Sequence, residues 1–328
     1  YHPTSVPVVM GHTAVIGGWV RDIVHGEPSG GVRAYGVRTG ALAWAWDVGD
    51  PDNANAADPQ KDYTLETPNV WTIPTYDREL NLVYLPTGNG PPDYWGGDRD
   101  AVKNKFGAAV VAVDATTGKT KWVRQLIHHD VWDFDIPIGP SLVDLPDAQG
   151  RLTPVLVQTT KQGEIFVLDR RTGKPFYRVE EHKAPGGDTP GEHYTPTQPI
   201  SSEMPNLRSH DMDIDQLWGM TPFDQMACRI RFKTARYQGL FTPPSFHGTI
   251  GFPAFVGVAD WYGGCIDPIH GVMYINTTFI PFMMTLYHHD DAIKKGLFKP
   301  WQGWGHPYPE PTFDSNPQHG LPYAAVIK

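Results

Sequence analysis

Ala109-Val-Val-Ala-Val-Asp-Ala-Thr-Thr-Gly-Lys-Thr-Lys-Trp122 reads as an alternating strand, a turn closed by Thr-Gly, and a second strand ending on an aromatic anchor. The pattern recurs at Gly31-Val-Arg-Ala-Tyr-Gly-Val-Arg-Thr-Gly-Ala-Leu-Ala-Trp44 and at Gly163-Glu-Ile-Phe-Val-Leu-Asp-Arg-Arg-Thr-Gly-Lys-Pro-Phe-Tyr177. Gly40, Gly118 and Gly173 stand where the hairpin reverses and accept positive φ, and Asp114 or Asp169 can bond the turn amides. Further strand candidates at 7–10, 13–20, 82–86 and 154–158 bring each unit to four strands. The turn glycines are 78 and 55 residues apart, longer than the ~40–50 of common propeller repeats, which leaves room for insertions. Four-stranded units repeated radially make a β-propeller; a linear solenoid would be spaced more regularly.

The composition agrees. A chain of 328 residues suffices for one large β domain or two ordinary ones. With 34 Gly and 32 Pro it is rich in turns, and 11 Trp, 14 Tyr and 14 Phe supply anchors, so an all-β architecture of short strands is expected. The stretch 295–323 is rich in Pro, Gly and aromatics without a period, and the segment 284–323 is read as a long loop or insertion.

A net charge of −9, with no basic cluster beyond pairs such as Arg170-Arg171, argues against a nucleic-acid face. Cys228 and Cys265 lie in no C-x-x-C arrangement and are expected to be two buried thiols rather than a bridge. No apolar run reaches ~18 residues, so no segment here is expected to span a bilayer. A chain that starts at Tyr1 rather than Met, with no signal peptide, reads as a fragment or processed product.

The densest chemistry lies in His128-His129-Asp130-Val131-Trp132-Asp133-Phe134-Asp135. Strand alternation would put Asp133 and Asp135 on one face with Val131, and Trp132 and Phe134 on the other. Two carboxylates on one face suit a general base beside a second acid, or a pair of metal oxygens; a loop cap and a solvated acid are the plain alternative. The adjacent histidines carry no second His pair at zinc spacing and read as structural. Lys161 follows an apolar strand, and is either solvated or a donor to an anionic or quinonoid oxygen. Asn89 reads as a turn residue with left-handed φ or as an oxygen ligand to a hard cation, and Asp22 has the same ambiguity beside Arg21. Trp71 reads as a packed core residue ahead of a stacking platform. Nicotinamide, nucleoside-triphosphate and serine-hydrolase motifs are absent.

Several stretches taken together resemble the membrane-bound quinoprotein dehydrogenases of the glucose/quinate/shikimate family. They are Gly26-Glu-Pro-Ser-Gly30, Thr67 to Trp71, Leu85-Pro-Thr-Gly-Asn89, Pro92-Asp-Tyr-Trp-Gly-Gly97, His128 to Asp135, Asp169 to Gly173, Thr195-Pro-Thr-Gln-Pro199, Trp218 to Gln225 and Tyr237 to Pro244. The likeness runs from about Tyr1 to Tyr323. It implies that residues 1–328 are part of one eight-bladed β-propeller that binds pyrroloquinoline quinone (PQQ) with calcium or magnesium. An N-terminal membrane region and terminal blades would then be absent from this stretch. The implied location is the periplasmic side of the bacterial inner membrane, the substrate a small polyhydroxylated molecule, and the electron acceptor ubiquinone.

Carried onto this chain, the resemblance makes Asp133 the general base and Lys161 the donor to the quinone oxygens. It places Trp71 at the cofactor plane, Asn276 near cofactor and substrate, Asp22 as a metal-associated acid, and Asn89 as a metal ligand. Ile23 is a departure: glucose-oxidising members carry Asn after that acid, and Gly17-Gly18-Trp19-Val20 lies closer to quinate-type members. A non-catalytic propeller used for binding or assembly, and a metal-dependent propeller hydrolase, are the alternative readings.

Overall fold

A computed structural model describes residues 2–53, 62–208, 210–261, 263–303 and 315–328. Strands β1 (Val8–Met10), β2 (Thr13–Ile16), β3 (Val32–Gly36) and β4 (Leu42–Trp46) pair in sequence order as one antiparallel sheet. Strands β5 (Thr75–Asp77), β6 (Leu82–Pro86), β7 (Ala109–Asp114) and β8 (Thr120–Gln125) repeat that arrangement. A third sheet holds β9 (Ser141–Pro146), β10 (Leu152–Thr159) and β11 (Ile165–Asp169), with β10 central. The pair β12 (Val179–Lys183) and β13 (Thr197–Ser201) follows. The remaining strands are β14 (Thr249–Gly251), β15 (Gly264–Asp267), β16 (Val272–Ile275), β17 (Phe282–His288), β18 (Ser315–Asn316) and β19 (Tyr323–Ile327). Of these β15 and β16 pair alone, and the other four form a sheet in the order β14-β17-β19-β18. Among the described residues no sheet closes on itself.

The repeated hairpins turn as expected. Gly40, Gly118 and Gly173 have φ of +67°, +71° and +69°. Their amides reach back to the carbonyls of Gly36 (2.8 Å), Asp114 (2.7 Å) and Asp169 (2.8 Å). The Asp114 carboxylate accepts from the amides of Thr116 and Thr117, and Asp169 accepts from that of Arg171.

Alternation along β6 and β7 then decides how the sheets stack. Val83, Leu85, Ala109, Val111 and Val113 pack with Val15, Val32, Trp44 and Trp46 of the first sheet. Leu82, Tyr84, Val110 and Ala112 face the other way, onto Leu156, Phe166 and Leu168 of the third. A strand buried on both faces has no polar alternate, so 109–113 is an unbroken apolar run. Val155, Val157, Ile165 and Val167 continue the series towards Ile266 and Met273 on β15 and β16. The terminal aromatics of the hairpins tie neighbours together: Trp44 Nε1 donates to Ala115 O (3.0 Å) in the second turn, and Trp122 Nε1 to Arg170 O (3.3 Å) in the third. Such bonds are worth about 1 kcal/mol each, and their direction also fixes the spacing between sheets.

Several expectations are corrected. The third sheet has three strands rather than four, because the chain after its turn meets Pro175, which makes only an isolated bridge with Leu168 and has no N–H to extend a ladder. The second strand stops at Ile16 rather than Val20; Gly17 is packed so tightly that a Cβ would lie 2.2 Å from Val70 O. The segment 284–323 is no plain loop: it begins inside β17, continues as a short helix α3 (His289–Lys294), and its part 304–314 lies outside the described residues.

Two more helices interrupt the strands. Helix α1 (Ala101–Phe106) is capped by Asp100, and α2 (Pro222–Thr234) by a reciprocal Thr221–Asp224 box with Pro222 in the first turn. Both cysteines are free thiols, but Cys265 is exposed and Cys228 half-buried, so the expectation of two buried thiols fails. Among the described residues no helix is long and apolar enough to cross a membrane.

Candidate active site

The motif 128–135 is a loop, not a strand, running from β8 towards β9. Asp130 folds it: its two carboxylate oxygens accept from the amides of Trp132 (2.8 Å) and Phe134 (2.7 Å). The backbone turns through left-handed conformations at His129 (φ +44°) and Asp133 (φ +60°), which Asp and His tolerate better than most residues. This winding, rather than strand alternation, separates the side chains. Asp133 and Asp135 point one way. Trp132 and Phe134 stack at 6.1 Å on the other side, and Val131 joins their cluster instead of sharing the carboxylates' face. The histidines are structural: buried His129 bridges Asn104 and Glu192, and His128 bridges Gln125 and Glu181.

Lys161, at the end of β10, meets the motif from the next sheet. Its ammonium donates to Asp135 Oδ2 (2.9 Å), Asp133 O (3.0 Å) and Asp133 Oδ1 (3.1 Å), which uses all three donors. It also lies 5.6 Å from the centre of the Trp71 ring. The second oxygen of Asp135 accepts the Asn89 amide. Gly88 makes that approach possible, since a Cβ there would sit 2.9 Å from Asp135 Oδ1 and 3.3 Å from Trp71 Cδ1. Asp133 Oδ2 receives a long contact, 3.4 Å, from the Tyr94 hydroxyl.

The two carboxyls therefore differ electrostatically. Burial works against ionisation of Asp135, but the Lys161 charge and the bonds it accepts outweigh this and hold it below the usual carboxylate range. At Asp133 burial dominates; Lys161 opposes it, the Asp135 and Asp93 charges reinforce it, and the carboxyl is pushed well above that range. Burial likewise disfavours the Lys161 charge, yet Asp133 and Asp135 hold the ammonium above the ordinary lysine value. Both carboxylates and Lys161 open onto a cavity of about 340 Å³ walled by the indoles of Trp19, Trp71 and Trp261. Trp71 and Trp261 meet edge to face at 5.4 Å.

Over residues 1–327 the sequence matches the family described as PQQ: Glucose/ethanol/alcohol dehydrogenase, beta-propeller domain. The chain belongs to this PQQ β-propeller family. It is 44% identical over 277 residues, 84% of its length and 34% of the relative's, to the quinate/shikimate dehydrogenase (quinone) of Acinetobacter baylyi. It is 38% identical over 328 residues, its whole length and 40% of the relative's, to the quinoprotein glucose dehydrogenase of Escherichia coli. Among solved structures it resembles a quinohemoprotein alcohol dehydrogenase from Pseudomonas putida, with a TM-score of 0.55 and 24% identity over 86% of this chain and 37% of that one, a likeness of fold alone. The chain thus spans well under half the length of the curated relatives it matches.

Within this PQQ β-propeller, four of the expected residues, Asp133, Lys161, Trp71 and Asp22, line one cavity. Asp22 is pushed up to about 7, first by burial and then by the Asp135 charge. Asn89 is buried just behind, but not in the left-handed region; its side-chain N–H donates to Asp93 O at 3.0 Å. Asn276 is not brought in: it is exposed after β16, and the chain reaches Lys161 two residues later through the backbone, by Thr278 N–H to Val258 O (2.9 Å) and Val258 N–H to Lys161 O (2.7 Å). Residues not singled out beforehand complete the wall, namely Thr4, Trp19 and Trp261, while Tyr94 and Asp93 act on Asp133 from beside it. The last two lie in the quoted Pro92 to Gly97 run, while nothing local marks Trp261.

Proposed function

We propose that the chain is the cofactor-facing part of a PQQ-dependent dehydrogenase that oxidises a hydroxyl of a small polyhydroxylated substrate, an aldose such as glucose or a cyclitol acid such as quinate or shikimate. Its sheets are read as blades of an eight-bladed propeller of which this stretch is a part. Electrons would pass to ubiquinone at the periplasmic face of the inner membrane. The observation that carries the reading is the convergence of Asp133, Lys161 and Asp135 on one indole-walled cavity. An enzyme needs that convergence, whereas an assembly module has no use for it.

The residues fit a flat quinone. The cavity offers aromatic walls and an ammonium, and the buried Trp71 Nε1 has no hydrogen-bond partner among the described residues. Bound PQQ supplies the two-electron acceptor. Trp71 and Trp261, edge to face at 78°, would offer the ligand one indole face to stack on and one indole edge beside it. Asp133, ionised beside the Lys161 ammonium, takes the substrate hydroxyl proton at Oδ2, the oxygen Lys161 leaves free. Lys161 keeps its charge and, by exchanging one of its three contacts, can donate to a ligand oxygen. The reading extends to a divalent cation, for which Asp22 and Asn89 Oδ1, without a hydrogen-bond partner among the described residues, are offered. The described residues assemble no set of three His, Cys, Asp or Glu able to hold a metal ion, and no step here runs through one.

Asp133→Asn is expected to bind PQQ as the wild type does, followed by quenching of tryptophan fluorescence, and to lose about 10²–10⁴-fold in kcat. Turnover at the wild-type rate on glucose and on quinate would remove Asp133 from the mechanism. Comparing dye-linked rates on the two substrates decides between them.

A further inference from the structure

The sheet β14-β17-β19-β18 lends no wall residue to the cavity among the described residues, yet it holds a tyrosine against Asp133. Tyr94 is 3% exposed, and its ring packs with Met284 and Leu286 of β17 and with Ala325 and Ile327 of β19. Its amide N–H donates to Oε1 of buried Gln318 (2.8 Å), whose Nε2 donates in turn to Tyr323 O in β19 (3.1 Å). The adjoining Asp93 is tied to the same sheet, its Oδ2 accepting from Asn316 Nδ2 in β18 (2.9 Å). Ring and backbone are therefore both anchored, which leaves the hydroxyl a fixed place to point from.

Packing alone does not call for a phenol there. A Phe ring would fill the same apolar cluster, and a hydroxyl taken out of water is unfavourable unless it is bonded. The bond it makes among the described residues is to Asp133 Oδ2, at 3.4 Å. Lys161 holds the other oxygen, Oδ1, at 3.1 Å. The torsion that turns a carboxylate lies in a broad well, so a contact on one oxygen leaves the other free to swing, while contacts on both fix its plane. Burial, then the Asp133 and Asp93 charges, push Tyr94 well above the ordinary tyrosine range, so the hydroxyl keeps its proton and stays a donor. A bond of this length in a ligand-free site commonly tightens when substrate arrives.

We propose that Tyr94 is a positioning residue: its hydroxyl bonds Asp133 Oδ2 and aims that oxygen at the place where the substrate hydroxyl presents its proton. The proposal rests on the reading of Asp133 as the proton acceptor. Tyr94 adds no proton transfer of its own. The substrate proton ends on Asp133 Oδ2, and the phenol, which can donate or accept, turns its O–H aside and accepts from the new carboxyl. The aim of the base is thus set from two directions, by Lys161 at the end of β10 and by a ring seated on β17 and β19.

The test uses the full-length protein loaded with PQQ. Tyr94→Phe is expected to melt with the wild type, to show the same quenching of tryptophan fluorescence by PQQ and the same KM, and to lose about 5–30-fold in kcat, roughly the worth of one hydrogen bond to a charged group. Added to Asp133→Asn, the same change should cost nothing further, because Tyr94 acts through the carboxylate. Tyr94→Phe with wild-type kcat overturns the proposal. So does an equal loss in the Asp133→Asn background, or a raised KM with kcat kept, which would put the hydroxyl on the substrate itself. A lowered melting temperature together with weaker PQQ binding would make Tyr94 a packing residue and overturns it too. The two readings fail separately: an inactive Asp133→Asn beside a fully active Tyr94→Phe removes Tyr94 alone, whereas Asp133→Asn at the wild-type rate removes the base and this proposal with it.

Discussion

Lys161→Met would keep the stem of the side chain and remove the ammonium, leaving Asp133 and Asp135 together without a counter-charge. That ammonium makes contacts of 3.1 Å and 2.9 Å with the two carboxylates, and Lys161 is buried. Removing one partner of such a buried ion pair costs about 3–5 kcal/mol. At about 2–4 °C per kcal/mol, the melting temperature should fall by roughly 6–20 °C near neutral pH and above. The loss has a definite pH dependence. Asp135, held below the ordinary range, stabilises the fold at pH values above the unfolded carboxylate pKa, and that stabilisation disappears as the pH falls through its folded value. Without Lys161 the buried carboxyls favour the protonated form, whose contribution is complete below the unfolded pKa and is lost as the pH rises. The destabilisation is therefore smallest in acid and largest in alkali. Thermal melts of ligand-free wild type and variant, from about pH 4 to about pH 8, measure it directly. Adding Asp135→Asn to Lys161→Met should recover part of the loss, because one stranded charge goes with it. A variant that melts with the wild type at alkaline pH, or suffers most in acid, refutes the electrostatic account of the triad.

Gly88→Ala forces a methyl to 2.9 Å from Asp135 Oδ1 and 3.3 Å from Trp71 Cδ1; it should cost about 1–3 kcal/mol and weaken PQQ binding, and an unchanged melt with unchanged binding would contradict the packing argument. Glu27 is buried with Oε1 unpartnered among the described residues, and is pushed up to about 8 by burial and then by the Asp22 charge. Its contribution is full below the ordinary glutamate pKa and lost as the pH rises towards about 8, so Glu27→Gln should flatten the fall of melting temperature over that window; parallel curves would argue against it. Trp44→Phe breaks the 3.0 Å bond to Ala115 O between the first two sheets and should cost about 1–3 kcal/mol with PQQ binding intact; a parallel loss of binding would show that the tie also shapes the site.

The hairpin repeat was legible because its signals are local. A Gly at the reversal, an Asp that bonds the turn and an aromatic at the end of each second strand sit within about 15 residues of one another, and each acts through backbone geometry that the residue type dictates. The stacking was not, since the residue that accepts from Trp44 lies 71 positions away, and only the folded chain says which face of β7 meets which neighbour. Helix α2 carries local signals of its own, the Thr221-Pro-Phe-Asp224 cap and apolar residues at helical spacing, but that its apolar face looks outward only the folded chain shows.

The same division runs through the site. That Asp133 and Lys161 are candidates for the chemistry followed from residue type, motif and resemblance. That Asp135 rather than Asp133 is the locked carboxylate depends on an amide from Asn89, 46 positions away, and on an ammonium from another sheet, 26 positions away. Asn276, grouped with them by sequence, ends on the surface. Side-chain chemistry is fixed by the sequence residue by residue, but proton affinity depends on what surrounds a group, and those surroundings are assembled only by long-range packing.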